Sequence, residues 1–181
     1  MADKFKNIDR IPSVRWQDWE YGANAAYFVT VCTAHRERFF GEINNSEMIL
    51  SEMGKTVQAE WLKTPGLRPD MNIILGEYVV MPNHFHGIIV IGENQYNTNS
   101  AALLPQSQWQ SNKFGHQSKN LASIMRGFKS AVTIFATMNS IPFAWQTRFH
   151  DRVIRNYGEH NRIAQYINAN VGNWRDDELY G

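Results

Sequence analysis

The sequence predicts an α+β fold, a ferredoxin-like split βαβ sandwich with one antiparallel sheet and an added C-terminal helix. Three observations lead there. The elements read strand, helix, strand, strand, helix, strand. Two of the strands are separated by little more than Pro82-Asn83, which makes them an antiparallel hairpin. The 181 residues, 43% hydrophobic and 19% charged, suffice for one domain with a real core and hardly for two.

Residues 1 to about 20 are polar and irregular, after which AYFVTVCT, Ala26 to Thr33, is a strand rich in β-branched and aromatic residues. Ser46 is the expected N-cap of a helix reaching about Lys63, with Ile49, Met53, Val57 and Trp61 on one face. NIILGEYVVM, Asn72 to Met81, is the second strand, with an irregularity expected at Gly76. Pro82-Asn83 turns the chain and Phe85 to Ile91 returns as the third. Asn, Gln and Ser dominate residues 93–117 without any period, so a mobile surface loop is expected inside a single domain spanning 1–181. A helix follows from about Asn120 to Met138. Its stripe is Leu121, Ile124, Met125, Phe128, Val132 and Phe135, with Arg126, Lys129 and Ser130 away from it. FAWQTRFHDRVIR, Phe143 to Arg155, holds a short strand, and a last helix runs from about Glu159 to Asn170. Ile163, Tyr166, Ile167 and Asn170 share one face of that helix.

The start, MADKFKNIDR, has no apolar run of a signal peptide, and no later segment approaches the roughly 20 apolar residues of a membrane span. Cys32 is the only cysteine, which excludes an intrachain disulfide and fits a reducing cytoplasm. Its place inside an apolar strand reads as a buried structural thiol. The formal charge of +1 conceals a division: −3 over residues 1–112, +6 over residues 113–162 and −2 in the tail. A basic half suggests a polyanionic partner, and solvated helix faces account for it equally well on charge alone.

The stretch MPNHFHGIIVIG, Met81 to Gly92, asks for more. Side chains at i and i+2 of a strand share a face, so His84 and His86 stand side by side while Phe85 points into the opposite layer. Such a pair can ligate a metal if a third ligand arrives from elsewhere, and taken alone it is more often just two histidines at a strand start. A cupin site would want a carboxylate five residues after the second histidine, where Ile91 stands. Two-histidine phosphoesterases need a second His-x-Ser/Thr motif, which no other histidine provides. The last helix offers a polar pair, Tyr166 and Asn170, one turn apart, and WQTRFHDRVIRN interleaves arginines with aromatics as phosphates and bases require.

MPNHFHGIIVI resembles the HUH motif, His-hydrophobe-His, of single-strand tyrosine transposases. AAYFVTVCTAHRERFFGEI, IMRGFKSAV, WQTRFHDRVIRN and RIAQYINAN extend the likeness to the REP-associated branch, over roughly Tyr27 to Trp174 without the polar loop. The resemblance implies that His84 and His86 bind a divalent metal, Mg²⁺ or Mn²⁺, and that Asn170 completes the site. It implies that Tyr166 attacks a DNA phosphodiester and becomes joined to the 5′ phosphate. The family's Asn-Pro after the tyrosine is Asn170-Val171 here, a departure that bears on the helix end.

These residue types suit that chemistry. A phenol with a pKa near 10 is a poor nucleophile at neutral pH, so a Lewis acid at the phosphate has work to do. The implied activity is cleavage and rejoining of single-stranded or hairpin DNA by a monomer or homodimer, with Arg126, Lys129, Arg148, Arg152 and Arg155 on phosphates and Trp145 stacked on a base. A catalytically silent DNA-binding protein derived from a transposase is the alternative. A replication initiator or relaxase shares the chemistry, and the absence of a helicase or second tyrosine motif disfavours it. Tyr157 with Asn161 repeats the spacing of Tyr166 with Asn170, and Gly158 is expected to break that turn.

Overall fold

The long strands begin where the apolar runs begin. The structure, a computed structural model, describes residues 24–97 and 118–180. Ahead of them it describes a short antiparallel pair, β1 (Lys4–Phe5) and β2 (Ile8–Asp9). β3 (Ala25–Cys32) lies where the β-branched run predicts it.

The next segment corrects the sequence reading. Gly41–Asn44 (β4) and Glu47–Leu50 (β5) form a separate hairpin where the helix was expected to begin. Asn45 and Ser46 hold φ angles of 50° and 62°, the two left-handed residues of a tight turn. Ser46 therefore turns a hairpin and caps nothing. The cap is Ser51, whose hydroxyl accepts from Gly54 N at 3.1 Å, and α1 runs Glu52–Lys63. Met53, Val57 and Trp61 are buried as their spacing predicts, while Ile49 is 52% exposed on β5.

β6 (Ile73–Val80) and β7 (His84–Ile91) are the predicted hairpin across Pro82-Asn83, and the register shifts between Leu75 and Tyr78, around Gly76. Residues 98–117 of the expected loop lie outside the described residues; within 93–97 the Asn94 and Asn97 amides both donate to Gly92 O. α2 (Leu121–Met138) opens with a capping box between Asn120 and Ser123. β8 (His150–Ile154) and α3 (Tyr157–Ala169) complete the fold, and Asn156 caps α3 by accepting from Glu159 N. Gly158 lies inside α3, so it does not break the turn that follows Tyr157.

The sheet order is β6-β7-β3-β8, antiparallel throughout, which is the split βαβ arrangement. Its two faces differ. Toward α1 and α2, Phe85 is fully buried, with its ring 4.7 Å from Trp61 and 5.4 Å from Phe128. A Cβ on Gly87 would stand 2.8 Å from the Trp61 ring, so that glycine serves this core. Toward α3, a smaller cluster of Ile88, Ile154, Ala164 and Ile167 packs with Phe28 and Val79. His84 and His86 share the strand face of Ile88. Among the described residues no helix is long and apolar enough to cross a membrane.

Candidate active site and metal centre

β7 starts immediately after the turn, so its first side chains enter at the end of the sheet, with His84 opposite Cys32 and His86 opposite Thr30. Both histidines are buried and their ring centroids are 4.5 Å apart. His84 Nδ1 meets Asn83 Oδ1 at 2.8 Å, and His86 Nδ1 meets Thr30 Oγ1 at 2.8 Å. Burial pushes both imidazoles down to about 3, and for His86 the neighbouring His84 adds to it. Each ring is therefore neutral at physiological pH and keeps one unprotonated nitrogen.

α3 lays Tyr166 and Asn170 against this pair, as their shared face predicts. The Tyr166 hydroxyl is 3.2 Å from His86 Nε2. Phe28 stacks on His86 at 5.3 Å and meets the Tyr166 ring edge-on at 6.2 Å, which holds both rings in register. Burial, then the Asp177 carboxylate, raises the phenol above its ordinary value, so it is neutral at pH 7. Asn170 is the C-cap of α3 and is buried, with helical φ and ψ, so the helix end holds without the proline at Val171. Its Nδ2 donates to Asp177 Oδ2 at 3.0 Å.

Asp177 is the residue the sequence reading missed. After a single 3₁₀ turn, Trp174–Asp176, the chain folds back over the site. The Asp177 side chain is 3% exposed, and its Oδ2 lies 3.8 Å from His84 Nε2. With His84 neutral, that approach is no ion pair. Leu179 N donates to Asp177 Oδ1 at 2.6 Å, and Arg36 Nη1 donates to Glu178 O at 3.1 Å. The Arg38 guanidinium sits 5.7 Å and 5.1 Å from the Trp174 and Tyr180 ring centroids. In the sequence Asp177 is one of three consecutive acids, and no spacing separates it from Asp176 and Glu178.

The donor atoms fit a divalent cation. One atom each from His84, His86 and Asp177 lie within 4.8 Å of one another. His84 Nε2 and Asn170 Oδ1 are buried with no hydrogen-bond partner, an unfavourable state for polar atoms that a cation would relieve. Two imidazole nitrogens and a carboxylate oxygen therefore converge, and the Asn170 amide is hydrogen-bonded to that carboxylate.

The six residues expected on DNA fall into two groups. Arg126, Lys129 and Trp145 line a groove beside α2, on the side of the sheet away from the histidines. Lys129 Nζ donates to Gln146 O and Arg148 O, which ties the 146–148 backbone to α2. Trp145 packs among Phe40, Phe128 and Phe143, and its indole N–H donates to Lys129 O. Arg148 sits in the same segment with φ 75°. On β8, Arg152 is opposite Phe28, the residue stacked on His86, and pairs with Glu159 at 2.6 Å. Glu159 also accepts from Arg155 N, so Arg152 on β8 and Arg155 just after it lie beside the start of α3.

No family model matches the chain. An uncharacterized protein of Haemophilus influenzae is 34% identical over 175 residues, covering 93% of this chain and 92% of its own length. Among solved structures, a REP-associated tyrosine transposase bound to a REP hairpin aligns with 88% of this chain and 72% of its own, at TM-score 0.56 and 17% identity. The chain belongs to one family with the Haemophilus influenzae protein and shares its fold with the REP-associated tyrosine transposase.

Proposed function

We propose that this protein is a tyrosine transposase, an HUH endonuclease that cleaves and rejoins single-stranded or hairpin DNA. The observation that carries the reading is the Tyr166 hydroxyl at 3.2 Å from His86 Nε2, in a site with two buried, unpartnered acceptor atoms. His84, His86 and Asn170 would hold Mg²⁺ or Mn²⁺, with the Asp177 carboxylate beside them. When bound, the ion would polarise the phosphoryl group and stabilise the leaving oxygen.

The side chains carry the rest. The Tyr166 oxygen attacks phosphorus and gives up its proton, the bond to the 3′ oxygen breaks, and that oxygen takes up a proton, so the step balances. The product is a 5′-phosphotyrosine and a free 3′ hydroxyl, and reversal with another 3′ hydroxyl rejoins strands. α3 holds the phenol rigidly, and the edge-on contact with Phe28 restricts its ring, which suits an in-line attack requiring close placement. Arg152 and Arg155 meet phosphates next to the site. Arg126 and Arg148 serve DNA that passes around to the α2 side, where Lys129 and Trp145 shape the groove.

The solved transposase of the same fold was captured on a REP hairpin, which makes hairpins the first substrates to try. End-labelled hairpin oligonucleotides incubated with Mg²⁺ or Mn²⁺ should be cut, and excess chelator or His86→Ala should abolish cutting while the fold is retained. Undiminished cutting in chelator would refute the metal's role. Tight hairpin binding without cutting in either metal would favour a silent DNA-binding protein.

A further inference from the structure

Asn83 has hydrogen bonds that can be assigned without choice. Its Nδ2 donates to two backbone carbonyls, Arg36 O at 3.2 Å and Leu179 O at 2.9 Å. Carbonyl oxygens only accept, so the amide atom facing His84 Nδ1 at 2.8 Å is the oxygen. That oxygen also only accepts, so the proton of neutral His84 is on Nδ1 and Nε2 is a bare lone pair. Nε2 is the buried, unpartnered atom 3.8 Å from Asp177. His86 differs. Its nitrogens meet two hydroxyls, Thr30 and Tyr166, and a hydroxyl donates or accepts, so neither dictates the proton's position.

We propose that Asn83 is a positioning residue for the metal centre. It holds His84 in the Nδ1–H form with Nε2 free to ligate. It also binds the Leu179 carbonyl, which fastens the segment bearing Asp177 over the same site. Its purpose rests on the metal reading above, but the proton position is a property of the metal-free protein. A free neutral histidine prefers the proton on Nε2, so the opposite form has to be imposed. Asn83 is 1% exposed and immediately precedes His84, which puts it within reach. In sequence it reads only as a turn residue after Pro82.

The test is a long-range ¹H–¹⁵N spectrum of the metal-free, histidine-labelled protein at pH 8, with His84 assigned from its loss in His84→Gln. Mn²⁺ titrations of the same samples follow by electron paramagnetic resonance. The wild type should show His84 with Nδ1 protonated and Nε2 bare. Asn83→Asp keeps an acceptor and should keep that form while losing both donated bonds. Asn83→Leu removes the acceptor and should move the proton to Nε2 and weaken Mn²⁺ by about 10- to 100-fold. A wild-type His84 protonated on Nε2 would overturn the proposal, as would a folded Asn83→Leu with unchanged proton position and Mn²⁺ affinity. Should Asn83→Leu fail to fold, the wild-type and Asn83→Asp spectra still decide. Absence of Mn²⁺ binding by the wild type would instead overturn the metal reading, and with it the purpose assigned to Asn83.

Discussion

The two faces of one sheet do different work. Facing α1 and α2, β7 contributes Phe85, Ile89 and Ile91 to a core closed by Trp61 and Phe128. Facing α3, the same strand contributes His84 and His86, whose surroundings leave acceptor atoms buried and unpartnered. Adjacent residues thus belong to different problems. One face supplies the apolar burial that stabilises the fold, and the other spends part of that stability on preorganised polar groups.

The largest effect should come from setting neighbours against each other. Phe85→Ala should lower the unfolding free energy by about 3–5 kcal/mol, because its ring is enclosed by aromatic partners. His86→Ala, one residue on, should lose less than half as much yet abolish metal-dependent cleavage. Urea denaturation of both variants gives the comparison, and equal losses would erase the distinction between the faces.

Acid should sharpen it next. The folded-state imidazoles of His84 and His86 are depressed from 6.5 to about 3 by burial. The unfolded chain takes up protons below about pH 6.5 that the folded chain refuses, so their contribution to stability is complete above that pH. It is lost progressively as pH falls toward 3. Melting temperatures of the metal-free protein between pH 7 and 4 should therefore fall more steeply than those of a His84→Gln, His86→Gln double variant. Parallel slopes would mean that the histidines titrate normally.

The smallest effect asks which face the DNA covers. Arg152 lies on the α3 side, opposite Phe28, whereas Arg126 lines the groove beside α2. Arg152→Ala should reduce the slope of log affinity against log salt by about 0.7 on a short single strand, and Arg126→Ala by less. The reverse order would move the DNA path to the α2 side.

What was legible in the sequence follows a physical pattern. Periods of 2 and 3.6 placed Phe85 opposite the histidines and put Tyr166 on the face of Asn170, because backbone geometry alone determines those relations. Local turn chemistry was harder to read: Ser46 has a capping residue's identity, but with Asn45 it takes a left-handed turn, and the helix waits for Ser51. Contacts between distant segments were legible only where the family resemblance supplied them, as for Tyr166 beside His86. Asp177 reaches His84 only because the tail folds back, and its identity among three acids carries no signal. Composition marked Lys129 and Trp145 as DNA contacts, and it carried no sign that Lys129 Nζ also ties Gln146 O and Arg148 O to α2 or that the Trp145 indole donates to Lys129 O.

The most direct test removes one oxygen atom. Wild-type protein, Tyr166→Phe and Tyr157→Phe are each mixed with end-labelled hairpin DNA and Mg²⁺ or Mn²⁺ and run on a denaturing gel. Tyr157 is 80% exposed at the start of α3, so it serves as the control phenol. A covalent protein–DNA band should form with the wild type and Tyr157→Phe and be absent from Tyr166→Phe, whose DNA affinity and melting temperature stay close to wild type. A band that persists in Tyr166→Phe would contradict Tyr166 as the nucleophile.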